Sequence, residues 1–413
     1  MTGHLERAVV ELIKRNPELK IVAVGGSVGK TSTKLAIATV LQQKYRVLVH
    51  EGNYNSELGM PLSLFELEAP ERTTDIVAWL HLLKKVKATL REPYPYHVAV
   101  LELGLDHAGD MERFLAYLKP DIGIVTAIAP EHMEHFADLS MVADEEFKLD
   151  LGSKAVALHV DDQKLKKRQS QLGERSVLTY GESGAVHWAG GDDLCLGGER
   201  TETINVKPKV IGDHSRLALL AAATVGVMLD LTVDEIRNGI DEFVPVSGRM
   251  QLLKGKNGVT IIDDSYNSSP DAALAALATL RQTAKGRKIA LLGQMNELGS
   301  YSQEAHEMVG KVAGKLDIVL TLGNDANNYL GAAAVKSGLD KANLHAFKSP
   351  YEAGEWLSKA VKKGDTILVK GSQNGVFAEE SIKPILADPA DSAKLVRQSP
   401  DWLARKAEQF GVK

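Results

Sequence analysis

The sequence predicts an α/β protein of two domains, each built on a mainly parallel sheet covered by helices on both faces. Three observations lead there. Short apolar runs rich in β-branched residues alternate with segments of helical periodicity from residue 20 to about residue 126. A glycine-rich turn stands between the first of these runs and a helix. The alternation lapses in the middle of the chain and restarts at Gly258. Strands that alternate with helices require crossover connections, and these bring successive strands into parallel order.

Residues 5–15 carry apolar side chains at helical spacing and stop at Asn16-Pro17. Residues 20–25 (KIVAVG) read as a buried strand, followed by the turn and a helix from about Lys30 to Gln43. Residues 46–49, 97–103 and 121–126 are further strands. Residues 176–206 change character, with short β-like pieces and several glycines, and read as a small β excursion within the first domain. A helix follows over about His214–Leu229, and the chain crosses into a new unit near Pro245–Gly248. Strands at 258–263, 287–293, 317–321 and 365–369 make a second, smaller α/β domain. The expected division is 1–246, 247–386 and a charged peripheral tail at 387–413.

Composition narrows the function. The 413 residues are 44% hydrophobic and 25% charged, ordinary values for a globular protein. With 49 basic and 54 acidic side chains the formal charge is −5, and no basic excess points to a nucleic-acid partner. A single cysteine, Cys195, excludes an internal disulfide and fits a reducing cytoplasm. The first 20 residues have scattered charges rather than a signal peptide's apolar segment, and no run reaches about 18 uncharged apolar residues.

The strongest local signal is Gly25-Gly26-Ser27-Val28-Gly29-Lys30-Thr31-Ser32. Glycines let successive backbone N–H groups close on phosphate oxygens, and the helix N-terminus adds its positive dipole end. Gly26, Ser27, Gly29 and Ser32 would cradle the phosphates of ATP. Lys30 would neutralise the β- and γ-phosphates and Thr31 would bind Mg²⁺. Val24 stands where a strict Walker A motif has glycine. The plain alternative is a glycine-rich connector with an exposed lysine. Strand, turn and helix together make the first domain P-loop NTPase-like; the second is expected to be Rossmann-like.

Several motifs in order resemble the Mur ligase family, most closely its MurF branch, which joins D-alanyl-D-alanine to a UDP-muramoyl tripeptide. They are GGSVGKTSTK (25–34), GNYNSELGMP (52–61), LELGLDHAGDM (101–111), TAIAPEHMEHF (126–136), SGRM (247–250), DDSYNSSP (263–270), GQMNELG (293–299) and VKGS (369–372). The resemblance covers nearly the whole chain. It implies an ATP-dependent ligase that makes an amide bond through an acyl phosphate, with an amino acid or dipeptide as amine and a carboxylate acceptor. The enzyme would be a cytoplasmic monomer of cell-wall precursor synthesis.

The resemblance also implies roles. Glu102 would hold, with Thr31, the Mg²⁺ that bridges the phosphates, and His132 would serve a second Mg²⁺. Arg249 resembles the arginine that reaches the nucleotide phosphates, and Asp264 the carboxylate that binds the ribose. Tyr266 and Asn267 would line the adenine pocket. Lys370 and Ser372 resemble the pair beside the incoming carboxylate, and Asn53 and Asn55 would face the acceptor. Taken singly, Glu102 reads as a surface carboxylate, His132 as a loop histidine and DDSYNSSP as turn chemistry.

Four departures from the family pattern stand out. Many members carry, about fourteen residues after the loop histidine, a lysine that becomes carbamylated; here that position is Glu146, and Lys148 lies two residues on. Glu146 is expected to supply directly the carboxylate that the modified lysine supplies elsewhere, its plain alternative being a solvated helix face. Ser215 and Ala218 replace asparagines of a His-Asn-x-x-Asn helix start, and Ala127 replaces a loop asparagine. The phosphate loop is reached after 24 residues, so the N-terminal UDP-binding domain of MurF-type enzymes is expected to be lacking.

Residues 75–91 (DIVAWLHLLKKVKATLR) look added. They form an amphipathic helix candidate, apolar around Trp79 and basic at Lys84, Lys85, Lys87 and Arg91. Such a helix can contact an anionic membrane surface or pack on the domain with its lysines solvated. Two other readings remain beside a MurF-like ligase: a related ligase, such as a folylpolyglutamate synthase, with a non-UDP acceptor, and a nucleotide-binding partner without activity.

Overall fold

The computed structural model describes residues 2–50, 58–70, 74–130, 135–136, 138–198 and 201–411. They form two compact units: residues 1–209 with 216–243, and residues 210–215 with 244–413.

The first unit runs α1 (Thr2–Arg15), β1 (Lys20–Gly25), α2 (Lys30–Leu41), β2 (Val47–Val49), α3 (Gly59–Ser63), α4 (Ile76–Thr89), β3 (Val98–Glu102), α5 (Asp110–Tyr117), β4 (Ile122–Val125), α6 (Leu139–Gly152), β5 (Ala155–His159), α7 (Gln163–Lys166) and β6 (Ser176–Tyr180). Three short strands follow, β7 (His187–Gly190), β8 (Asp193–Leu196) and β9 (Glu202–Asn205), then α8 (Asp213–Met228) and α9 (Val233–Glu242). The main sheet has the order β2-β3-β1-β4-β5-β6, and every pairing in it is parallel. Its central strands β1, β3 and β4 are buried almost throughout, as a sheet covered on both faces requires. One apolar core joins β1 and β3 to α1, α4, α5 and α6 through Leu5, Val9, Trp79, Leu82, Phe114 and Phe147.

The expected β excursion over 176–206 is shorter in the structure. Ser176–Tyr180 pairs in parallel with Ala155–His159 and closes the main sheet. Only β7–β9 form the separate, antiparallel sheet. Ser176–Tyr180 is an edge strand buried fully only at Tyr180, so it lacks the continuous apolar run that marks the other parallel strands.

The second unit continues with β10 (Gln251–Lys254), β11 (Thr260–Asp264), α10 (Pro270–Thr283), β12 (Lys288–Gly293), α11 (Ser302–Ala313), β13 (Ile318–Leu322), α12 (Gly331–Lys336), β14 (Leu344–Phe347), α13 (Pro350–Ala360), β15 (Thr366–Lys370) and α14 (Pro400–Phe410). The sheet order is β10-β11-β15-β12-β13-β14, parallel except for the antiparallel edge strand β10. Strand β15 returns between β11 and β12, so the strand order reverses there. In open α/β sheets that reversal, at the strands' carboxyl ends, is where side chains converge on a crevice.

The tail is tied into this unit by charge. Lys406 on α14 is fully buried, 2.8 Å from Glu379 and 2.7 Å from Glu380, and Arg397 grips Glu379 at 2.8 Å. No helix among the described residues is long and apolar enough to cross a membrane.

Candidate active site

The turn after β1 is shaped by two glycines. Gly26 has φ +113°, and a Cβ there would lie 2.3 Å from Thr126 Oγ1, so only glycine fits. Gly29, at φ +88°, is the residue before α2, whose first turn has no side-chain cap. Uncapped N–H groups at a helix start are a site for an anion. Lys30 folds back over the same turn, its Nζ 2.5 Å from the Gly26 carbonyl and 3.4 Å from that of Ser27. The turn is braced from β4: Thr126 Oγ1 donates to the carbonyls of Gly25 and Val28, and Ser27 N–H donates to the Ala127 carbonyl at 2.8 Å. The bond at Ala127 is made by backbone, so the asparagine missing there is not needed for it.

Parallel register places Glu102, the last residue of β3, beside Val24 at the end of β1. Thr31 Oγ1 donates to Glu102 Oε1 at 3.2 Å. Lys34, one turn further along α2, stands 3.2 Å from Oε2 as a buried ion pair that makes no directed hydrogen bond. Glu102 is 6% exposed and Lys34 2%. Beside them opens a cleft lined by Lys34, Leu48, His50, Ser63, Val100, Leu101 and Glu102. A hydroxyl and a carboxylate side by side at a glycine-rich turn are the hard oxygen donors that Mg²⁺ takes. Oε2, buried without a directed donor, can still accept a cation.

Glu146 reaches the turn from α6. It is 3% exposed, and its Oε2 accepts the Gly26 N–H at 2.7 Å. This is not the solvated helix face of the plain reading. Asp150, one helical turn on, is fully buried; burial and the neighbouring Glu146 charge push its carboxyl well above the usual range. Lys148 points elsewhere, to Glu145 at 2.7 Å and Glu112 at 2.9 Å. Burial alone would lower its pKa, but its hydrogen bonds to the two carboxylates raise it. Carbamylation needs a neutral amine, so this ion pairing opposes modification of Lys148.

In the second unit the ends of β11 and β15 meet. Register sets Asp264 beside Lys370, and the two form a buried ion pair at 2.6 Å. Lys370 also donates to the Asn267 carbonyl at 3.0 Å, and Asp264 Oδ1 accepts the Met250 N–H at 3.2 Å. Ser372 Oγ donates to the Ser268 carbonyl and accepts the Asn296 N–H. The Arg249 guanidinium lies 4.3 Å over the Tyr266 ring. Arg397 donates to the carbonyls of Ser265 and Tyr266, which fixes the same turn from the tail side. Asp263 beneath it is fully buried, with Oδ2 lacking a hydrogen-bond partner; burial raises its carboxyl to about 7.

The candidates named from sequence thus fall into two clusters. Gly26, Ser27, Gly29, Lys30, Thr31, Ser32, Glu102 and Glu146 gather at the turn of the first unit. Arg249, Asp264, Tyr266, Asn267, Lys370 and Ser372 gather at the strand ends of the second. His132, Asn53 and Asn55 lie outside the described residues. Lys34 and Arg397 escaped the sequence reading. Lys34 left one signal, a lysine three residues after Thr31 on a helix whose neighbours are apolar.

Comparison with known proteins decides the family. Residues 24–79 and 81–226 match the Mur ligase middle domain, and residues 248–373 match the Mur ligase, glutamate ligase domain. The chain belongs to the Mur ligase family. Mur ligases are ATP-dependent ligases, and the turn at Lys30 lies within the part of the chain that matches the middle domain.

Curated relatives include the UDP-N-acetylmuramoyl-tripeptide–D-alanyl-D-alanine ligases of Bacillus subtilis, 27% identical over 90% of this chain and 76% of the relative, and of Escherichia coli, 27% identical over 89% and 77%. The chain therefore spans about three quarters of these relatives' length. Among solved structures, MurF from Acinetobacter baumannii aligns with TM-score 0.74 and 21% identity over 92% of this chain and 81% of that one. MurF from Thermotoga maritima in complex with ADP aligns with TM-score 0.73 and 24% identity over 93% and 83%. The Mur ligase fold extends through both units.

Proposed function

We propose that this Mur ligase works as its curated relatives are named, adding D-alanyl-D-alanine to a UDP-N-acetylmuramoyl tripeptide in the cytoplasm. The observation that carries the reading is the phosphate turn itself. Lys30, the uncapped start of α2 and the Thr31–Glu102 pair stand together, in a chain that matches those relatives over nine tenths of its length.

A free carboxylate is a poor acyl donor because its leaving group would be oxide. One acceptor oxygen attacks the γ-phosphorus of ATP, the bond to the β-phosphate bridging oxygen breaks, and ADP and an acyl phosphate result. The amine of the dipeptide then attacks the acyl carbon, and inorganic phosphate leaves with the transferred oxygen. No protein nucleophile is required. Positioning and charge neutralisation carry the rate.

The loop amides and the N-terminus of α2 receive the β- and γ-phosphates, and Lys30 exchanges the Gly26 carbonyl for phosphate oxygen. Thr31 and Glu102 would hold Mg²⁺, and His132 with Glu146 would serve a second ion; these ions neutralise phosphate charge when bound. Asn53 and Asn55 face the acceptor in this reading. Arg249, Asp264, Tyr266 and Asn267 serve the nucleotide, and Lys370 with Ser372 the dipeptide carboxylate. Lys370 then shares its charge between that carboxylate and Asp264. The incoming ammonium loses its proton to a nearby carboxylate before attack.

The test is ADP formation with UDP-N-acetylmuramoyl tripeptide and D-alanyl-D-alanine, read together with product mass. ADP should form over many turnovers only when both are present, and the product mass should equal their sum less one water. ADP formed with a different acceptor or amine would move the protein to another branch of the family. No ADP with any pair would overturn the reading.

A further inference from the structure

Helix α4 has two faces of opposite character. Trp79, Leu82 and Val86 are 3%, 6% and 2% exposed and seat it on the core of the first unit. Asp75 caps its start by accepting the Ala78 N–H at 2.9 Å. The opposite face begins with Ile76, Val77 and Leu80, exposed by 73%, 76% and 56%. At successive helical spacings from Leu80 come Lys84 and Lys87, with Lys85 at the flank and Arg91 in the turn just past the helix end, all exposed. No Asp or Glu lies between residues 76 and 91. Among the described residues none of these four cations is in an ion pair.

We propose that this face docks the enzyme on an anionic lipid bilayer. Three aliphatic side chains at one end of a helix and a row of cations along the rest match the two zones of such a surface. The aliphatic groups enter the boundary of the acyl chains, and the ammonium and guanidinium groups stay at the level of the lipid phosphates. The occupant is a membrane rather than a protein because the face is a single convex helix without a groove for a partner's side chains. Its apolar part is purely aliphatic, with no aromatic anchor. The inner face keeps the helix folded on the domain, so docking needs no unfolding. This inference does not depend on the identity of the ligase substrates.

The experiment is flotation of the full chain with vesicles of phosphatidylglycerol and phosphatidylcholine in equal parts, against vesicles of phosphatidylcholine alone. The wild type should float with the anionic vesicles, remain behind with the neutral ones and dissociate as salt is raised. Val77→Ser with Leu80→Ser, and separately Lys84→Glu with Lys87→Glu, should each weaken partitioning by roughly tenfold or more. Both variants should keep the wild-type thermal transition, which separates lost docking from lost fold. Absence of wild-type binding to the anionic vesicles would overturn the proposal, as would binding that neither variant weakens. Saturable binding to an acidic polypeptide with no vesicle binding would assign the face to a protein instead.

Discussion

Glu146 Oε2 accepts the Gly26 backbone N–H at 2.7 Å, across 120 residues of sequence, so the carboxylate of α6 is bonded to the glycine-rich turn itself. That contact separates two functions of one side chain. Glutamine keeps an oxygen for Gly26 but removes the charge. Glu146→Gln should therefore fold with an unchanged thermal transition and lose turnover by about a hundredfold, the usual size of one electrostatic group in a phosphoryl-transfer site. Glu146→Ala should also destabilise the protein by about 1–3 kcal/mol, because a buried N–H is orphaned. Unchanged turnover in Glu146→Gln, or a carbamate found on Lys148 by mass spectrometry, would contradict the assignment.

Lys34 and Glu102 form a pair in which each is nearly inaccessible to water. Removing one partner leaves an uncompensated buried charge. Lys34→Met should cost about 3–5 kcal/mol in urea unfolding. The double variant Lys34→Met with Glu102→Gln should recover much of that stability and none of the activity. Stability losses that simply add in the double variant would show that the two side chains are not coupled.

Lys30 Nζ lies against the carbonyls of Gly26 and Ser27 in its own loop. Its substitution should spare the fold and strike the chemistry. Lys30→Met is expected to keep the wild-type unfolding midpoint and to lower kcat by about 10²–10³ or more. A kcat within threefold of wild type would remove Lys30 from the phosphate site.

Asp263 gives a pH signature. Its carboxyl is raised to about 7 in the folded protein, from an ordinary value of 3.8, with burial the largest cause. Between these two values the native state binds a proton that the unfolded chain has released, so this group's contribution falls as pH rises from about 4 to 7. The steepest loss is about 1.4 kcal/mol per pH unit. Asp263→Asn should remove that slope, and urea midpoints of the variant and wild type should diverge between pH 5 and pH 7.5 in the variant's favour. Parallel pH profiles would contradict it.

The parts legible from sequence were those whose signal is local. The β1–turn–α2 unit announces itself through glycines and a strand-to-helix change within a dozen residues, and the sheet strands through continuous apolar runs. What escaped depends on distant pairing. Lys34 is intelligible only once β3 brings Glu102 to it, 68 residues on. Asp264 and Lys370 read as members of separate subsites, and the register of β11 with β15 joins them in one ion pair. Lys406 and Arg397 lie in a charged tail that looks solvated, and only the buried Glu379 and Glu380 make their burial affordable. Ser176–Tyr180 reads as part of the small β excursion because an edge strand lacks the apolar run of a central one.

The central claim is that the acceptor carboxylate is activated as an acyl phosphate at the Lys30 loop. Heavy oxygen placed in both positions of that carboxylate follows the claim directly. One labelled oxygen should appear in the inorganic phosphate and one should remain in the amide product. Phosphate released without label, while amide and ADP still form, would contradict it.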